Sequence, residues 1–444
     1  MQQESRVSRG INGIAMIRIV LGLLLAAMTT LAQAGVQIQH WNLPSGARVY
    51  FVESHELPIL DVQVDFAAGT AYDPPGKSGL AGMTRGLLDA GAGSLDEEKI
   101  AERLVDIGAH LAGSGDLDRA GLSLRTLSSQ RERDAALELL RLVLLQPTFP
   151  EDVLAREKTR SIAAIREADT RPDSIAAKRF SALLYPGHPY GVSATVDSVA
   201  SITRDDLVAF HRTRYSAQGA VISIIGDVSR TEAEHIASTL TEGLPQNRVD
   251  ATLPEVKLPL QSVERIAHPA TQAHIHIGVP AMRRGDPDYF AMLVGNYILG
   301  GGGFVSRLMQ EVREKRGFAY DVHSYVQAQK QPGPFQIGLQ TKRNQATDAL
   351  KVAQDTLTLF LKDGPSEREL KAAKRNLVDG FALRLDSNRK ILEYLAVIGF
   401  YELPLTYLDD FPRKVEAVTV ADIRTAFQRK VQPEHLVTVI LAGE

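Results

Sequence analysis

The chain repeats itself, and that limits its possible folds more than any other feature. Ile202-Thr203-Arg204-Asp205-Asp206-Leu207 opens a short helix that leads to the apolar strand Ala220–Ile225 and then to Gly226-Asp227. About 216 residues later, Val418-Thr419-Val420-Ala421-Asp422-Ile423 leads to the strand Leu436–Leu441 and then to Gly443-Glu444. Earlier in each half an alternating strand runs into a turn and a helix. These are Leu60–Phe66, Asp73-Pro74-Pro75 and Gly79–Leu88 in the first half, and His274–Val279, Asp286-Pro287 and Tyr289–Leu299 in the second. A switch of apolar period from two to 3.6 marks each strand-to-helix step. Two copies of one α+β unit are expected, each a layered sheet covered by helices.

Length points the same way: 444 residues exceed the roughly 250–300 at which a single core stops growing. The expected divisions are a first domain at 35–245, a Pro-containing linker at 246–263 and a second domain at 264–444. Hydrophobic residues at 44% and charged residues at 23% exclude wholesale disorder and a multi-span membrane protein. The net charge of −3 comes without a basic run, so nucleic acid is a poor partner. With no cysteine there is no disulfide, thiol nucleophile or Cys-ligated zinc, and any metal must sit on His and carboxylates.

Residues 1–34 read as an export signal. Arg18 precedes the apolar run Ile19–Leu31, which ends in the small-x-small triplet Ala32-Gln33-Ala34. The run is shorter than the roughly 20 residues a spanning helix needs. Cleavage after Ala34 and a periplasmic location are expected, with no membrane span afterwards.

The series Leu299-Gly300-Gly301-Gly302-Gly303-Phe304-Val305-Ser306-Arg307-Leu308, followed by Val312-Arg313-Glu314-Lys315-Arg316-Gly317-Phe318-Ala319-Tyr320, closely resembles the second-half signature of the M16 metallopeptidases, the pitrilysin and mitochondrial-processing-peptidase family. His188-Pro189-Tyr190-Gly191 and the segment from Asp205 to Asp227 also look like this family. The resemblance runs from about Gln37 to Glu444. It implies an α+β fold of two homologous domains, each a mainly antiparallel sheet with helices packed on one face.

The catalytic motif is where the sequence departs. Active members of the family carry His-x-x-Glu-His on the first helix after the first hairpin, two histidines for zinc and a glutamate that activates water. The matching helix here contains Gly82, Arg85 and Gly86 in those places, and the alignment puts Ala164 where the family's third ligand, a glutamate, would stand. Glycine and alanine have no donor atom, and arginine stays protonated and cannot act as a base. No other His-x-x-Glu-His or His-Glu-x-x-His string occurs in the chain.

The remaining histidines are weak candidates for a replacement site. His274 and His276 share one face of a strand, and ordinary partly buried strand histidines are favoured over ligands. His188 reads as a loop-ordering hydrogen-bonder, and His323 follows the second-half signature closely. Gly300–Gly303 lack the Gly-Lys-Ser/Thr of a phosphate loop, so a flexible hinge before a helix is expected.

The substrate side of the family's site is retained. The resemblance gives Arg313 and Tyr320, seven residues apart, the role of binding the substrate peptide. Val305–Lys315 reads as a helix, Lys315-Arg316-Gly317 as its stop and Phe318–Val326 as a strand. The best reading is a non-zinc-binding subunit, inactive alone, of a heterodimeric M16 peptidase whose zinc is held by a partner subunit. The alternative is a non-enzymatic peptide-binding or scaffold protein of the same fold.

Overall fold

A computed structural model describes residues 36–443; the expected export signal lies outside them. The first half contributes β1 (Gln39–Asn42), β2 (Arg48–Glu53), β3 (Ile59–Phe66), a short hairpin of β4 (Gly91–Ala92) and β5 (Leu95–Asp96), β6 (His110–Gly115), β7 (Ala120–Leu127) and β8 (Val221–Gly226). The second contributes β9 (Ser262–Ala267), β10 (Gln272–Met282), β11 (Ala319–Val326), β12 (Gly333–Lys342) and β13 (Val437–Ala442). Ser262 and Val263, the last residues of the expected linker stretch, are already part of β9.

The sheets run β1-β2-β8-β3-β7-β6 and β9-β13-β10-β12-β11. With β1 set aside, the second order repeats the first strand for strand. The polarity repeats too: β2 with β8 and β9 with β13 are parallel, and every other neighbour in the two sheets is antiparallel. The sequence repeat is therefore a repeat of topology, in mainly antiparallel sheets.

One face of each sheet is covered by helices of its own half, such as Gln130–Leu145 against β7 and Ala346–Asp363 against β10 and β12. The other face takes a helix from the opposite half. Asn388–Phe400 lies on β8, β3 and β2, while Pro172–Leu184 lies on β13 and β10. This exchange explains why β8 and β13 are near-continuous apolar runs, since each strand is buried on both faces. It is also why residues Ile38 to Gly443 behave as one compact unit.

The exchanged helices approach closely at glycines. A Cβ at Gly399 would lie 2.6 Å from Val221 Cγ1 and 2.7 Å from Tyr50 Cδ2. One at Gly278 would lie 2.8 Å from Phe180 Cζ. Gly399→Val should therefore cost about 1–3 kcal/mol through overpacking. Gly82→Ala, where a Cβ meets nothing within 4 Å, should be neutral or stabilising by up to about 1 kcal/mol through helix propensity. Urea unfolding of both variants checks this, and a Gly399→Val protein as stable as the parent would contradict the packing.

A buried carboxylate ties the halves together. Asp118, fully buried, accepts from the hydroxyls of Tyr190 and of Tyr401 (2.8 Å) and from the main-chain N–H of Lys330 at 2.9 Å.

Candidate functional site

The helix Leu80–Gly86 starts where the Asp73 carboxylate accepts from the main-chain N–H groups of Gly79 (2.8 Å) and Ala81 (2.7 Å). Gly79 has φ of +103°, a left-handed turn that favours glycine. Beyond it, Gly82 and Gly86 leave a helix face without side chains. That face fronts a cavity of about 350 Å3 whose opposite wall is the helix Glu151–Ala168, through Glu157, Ser161, Ala164 and Ile165. The structure thus brings Gly82, Gly86 and Ala164 to one cavity from segments far apart in sequence. Arg85 points elsewhere, across the edge strand β6. A Cβ at Gly115 would lie 2.9 Å from Arg85 Nη1, and one at Gly113 would lie 3.4 Å from Arg85 Cδ.

Sequence reasoning missed Glu157 and Ser161, although both recur on one helical face with Ala164 at the i, i+4 and i+7 spacing. It also missed the alternation Gly113-Ser114-Gly115, a sign that something must lie flat on that strand. The cavity does not fit zinc. Its oxygen donors are the Ser161 hydroxyl and the Glu157 carboxylate, which is already bound by Arg160 at 2.8 Å. Among the described residues no group of three or more His, Asp or Glu side chains can hold a metal ion.

Arg313 and Tyr320 sit on one continuous segment. The expected helix Val305–Lys315 is instead a 3-10 turn at Gly303–Val305, then a wide π-helical stretch, Met309–Glu314. It stops where Gly317, φ +65°, donates its N–H to the Arg313 carbonyl at 2.8 Å. The Arg313 guanidinium lies 5.0 Å from the centre of the Phe304 ring and has no carboxylate partner among the described residues. Tyr320 occupies a bulge of the edge strand β11, between Ala319 and Asp321, and is 72% exposed. The bulge turns two consecutive side chains outward.

The glycine run differs from the expected flexible hinge. A Cβ at Gly300 would lie 2.5 Å from the Ser324 main-chain N, one at Gly301 2.7 Å from Asn296 Nδ2, and one at Gly302 2.7 Å from the Tyr297 carbonyl. These three glycines are required by close packing. Only Gly303, φ +61° with open space around it, has the freedom of a turn.

The family model described as insulinase, peptidase family M16, matches residues 48–196, and the model described as peptidase M16 inactive domain matches 201–377. The crystal structure of a peptidase M16 inactive domain from Pseudomonas fluorescens is 37% identical, with a TM-score of 0.88 over 92% of this chain and 98% of that one. The chain belongs to the M16 peptidase family. Other M16 relatives carry differing names. A Helicobacter pylori chain named non-peptidase homolog YmxG is 23% identical over 97% of this chain and 99% of its own length. A Bacillus subtilis chain named uncharacterized zinc protease YmxG is 24% identical over 79% and 85%. The fold is also that of the periplasmic protease PqqL from Escherichia coli, at 16% identity and TM-score 0.78; there 93% of this chain matches only 46% of the longer protein. No helix among the described residues is long and apolar enough to cross a membrane.

Of the four histidines singled out in this M16 chain, His188, His274 and His276 serve packing and loop order. His188 is buried; its Nδ1 accepts from the Tyr190 N–H at 3.1 Å and its Nε2 donates to the Pro254 carbonyl at 3.0 Å, so it orders the loop. His274 and His276 lie on the face of β10 covered by the exchanged helix, with the His276 ring 5.5 Å from Phe180. Tyr325 donates to Gln336 Oε1, which turns the Gln336 amide to donate to His276 Nδ1 at 2.8 Å. His323 is exposed and pairs with Asp321 at 2.9 Å.

Burial pushes the His276 pKa down from 6.5 to about 4, with lesser contributions from His274 and His323. Between those values the unfolded chain takes up a proton that the folded one refuses, so stability should fall as pH drops from 6.5 toward 4. His188, His211 and His274, also lowered by burial, add to the slope. Denaturant unfolding at neutral and acid pH should show a smaller loss for His276→Gln than for the parent, and an equal loss would exclude His276 as a source.

Proposed function

We propose that this chain is the non-zinc-binding subunit of a two-chain M16 peptidase, exported to the periplasm. A partner of similar length holds zinc and activates water, while Arg313 and Tyr320 of this chain bind the substrate peptide at the shared site. The observation that carries the reading is the cavity where Gly82, Gly86 and Ala164 face one another with no ligand set for zinc. The match to PqqL supports it, because this chain spans only about half the length of that single-chain protease of the same fold.

The surroundings of Arg313 and Tyr320 support these roles. Arg313 is steadied by an aromatic ring and by a weak Nη1 contact to the Met309 sulfur at 4.0 Å rather than by a carboxylate, which leaves its remaining guanidinium N–H groups to donate to a peptide carbonyl. Tyr320 projects its hydroxyl from an exposed bulge. Two such donors orient a substrate and stabilise charge developing on its carbonyl oxygen. Co-expression with a zinc-bearing M16 chain tests the reading. Co-purification in a 1:1 complex supports it, and failure to associate moves the assignment to a stand-alone scaffold or peptide-binding protein.

A further inference from the structure

A cavity of about 360 Å3 lies where the two halves meet, lined by Arg48 and Arg214 from the first half and Arg284 and Lys330 from the second. One carboxylate faces it, Glu402, which is bound to Arg48 at 2.6 Å. The other three cations are held by neutral groups. Arg214 lies 4.4 Å from the centre of the Tyr72 ring and donates to the Asp250 carbonyl at 2.6 Å. Lys330 donates to the Ala251 carbonyl at 2.5 Å and to the Tyr72 hydroxyl at 3.4 Å. Arg284 lies 5.2 Å from the centre of the Tyr401 ring, and its Nε is buried without an acceptor among the described residues.

Nearby carboxylates do not neutralise this group. Asp118 is taken by two tyrosine hydroxyls and a main-chain N–H, and Asp250 is turned to the Thr252 N–H at 2.9 Å. Burial pushes the pKa values of Arg214 and Lys330 below their ordinary range, and the opposing pull of Asp250 on Arg214 and of Asp118 on Lys330 does not offset it. Cations concentrated in a concave, partly dry space attract anions far more strongly than the same charges on an open surface.

We propose that this cavity binds a small polyanion, a molecule bearing two or more phosphate or carboxylate groups, with Arg284 and Arg214 as its main donors. Guanidinium groups match both chemistries because their N–H fork pairs with two oxygens at once. Glu402 acts as the competitor. It stands at the cavity wall with φ of +53°, a conformation that non-glycine residues seldom adopt, and places a negative charge on Arg48 where a ligand would otherwise have it. The proposal is independent of the peptidase reading.

Calorimetric titration of the full chain with inorganic phosphate, pyrophosphate and citrate, at ionic strength matched with chloride, tests it. Saturable binding of about one molecule per chain is expected for at least one of the three. Arg284→Gln should weaken it about tenfold or more, and Glu402→Gln should tighten it. Pyrophosphate preferred over citrate assigns the site to phosphate chemistry, and the reverse assigns it to carboxylates. Arg284 makes no side-chain hydrogen bond to a described residue, so its variant should keep the parent's thermal midpoint without ligand. No saturable binding by any of the three, or binding unchanged in both variants, would overturn the proposal.

Discussion

Arg313→Ala and Tyr320→Phe should each lower kcat/KM of the proposed two-chain complex by about 10²–10³-fold, the usual consequence of losing one preorganised donor that acts in the transition state. The structure makes this a clean experiment. Tyr320 is 72% exposed on an edge-strand bulge, so removing its hydroxyl takes nothing from the core. Arg313 is bound by no carboxylate among the described residues, and its main contact is the ring of Phe304, itself 66% exposed. Both variants should therefore fold, associate with the partner and leave the partner's zinc in place. Steady-state cleavage of a peptide by each reconstituted complex is the check, and undiminished kcat/KM in both would remove this chain from the catalytic site.

A second large effect concerns the cavity. Gly82→His, Arg85→Glu and Gly86→His combined with Ala164→Glu should let this chain take up about one zinc, because three protein ligands plus water make a catalytic zinc site. There is room for the new side chains, since a Cβ at Gly82 or Gly86 meets nothing within 4 Å. The triple variant that keeps Ala164 should bind zinc far more weakly at the same free concentration. Metal analysis after dialysis distinguishes them. If the triple variant holds a full equivalent, position 164 is not the place of the third ligand, and Glu157, two turns earlier on the same face, is.

The parts of this molecule legible in its sequence are those governed by local pattern. The strand expected at Leu60–Phe66 is β3, that at Ala220–Ile225 is β8, and that at Phe318–Val326 is β11, each within a residue. The repeat was legible because the two halves share turn and capping chemistry: Thr203 and Thr419 both form capping boxes at equivalent helix starts. The exchange of Pro172–Leu184 and Asn388–Phe400 was not legible, because an amphipathic pattern says that a face is buried but not which sheet covers it. The glycine run misled for a related reason. Glycine marks both freedom and close approach, and only the neighbours Ser324, Asn296 and Tyr297 decide which applies. At the cavity, the residue types Gly82, Gly86 and Ala164 show directly that these positions carry no donor atom. The direction of Arg85, away toward β6, depends on two glycines on another element.

The most direct test of the central claim is the zinc content and peptide-cleaving activity of the purified chain alone, beside those of its 1:1 complex with a zinc-bearing M16 chain. The account predicts no stoichiometric zinc and no cleavage for the chain alone, and about one zinc and turnover for the complex. A tightly held equivalent of zinc on this chain alone, with cleavage that the metal supports, would contradict it.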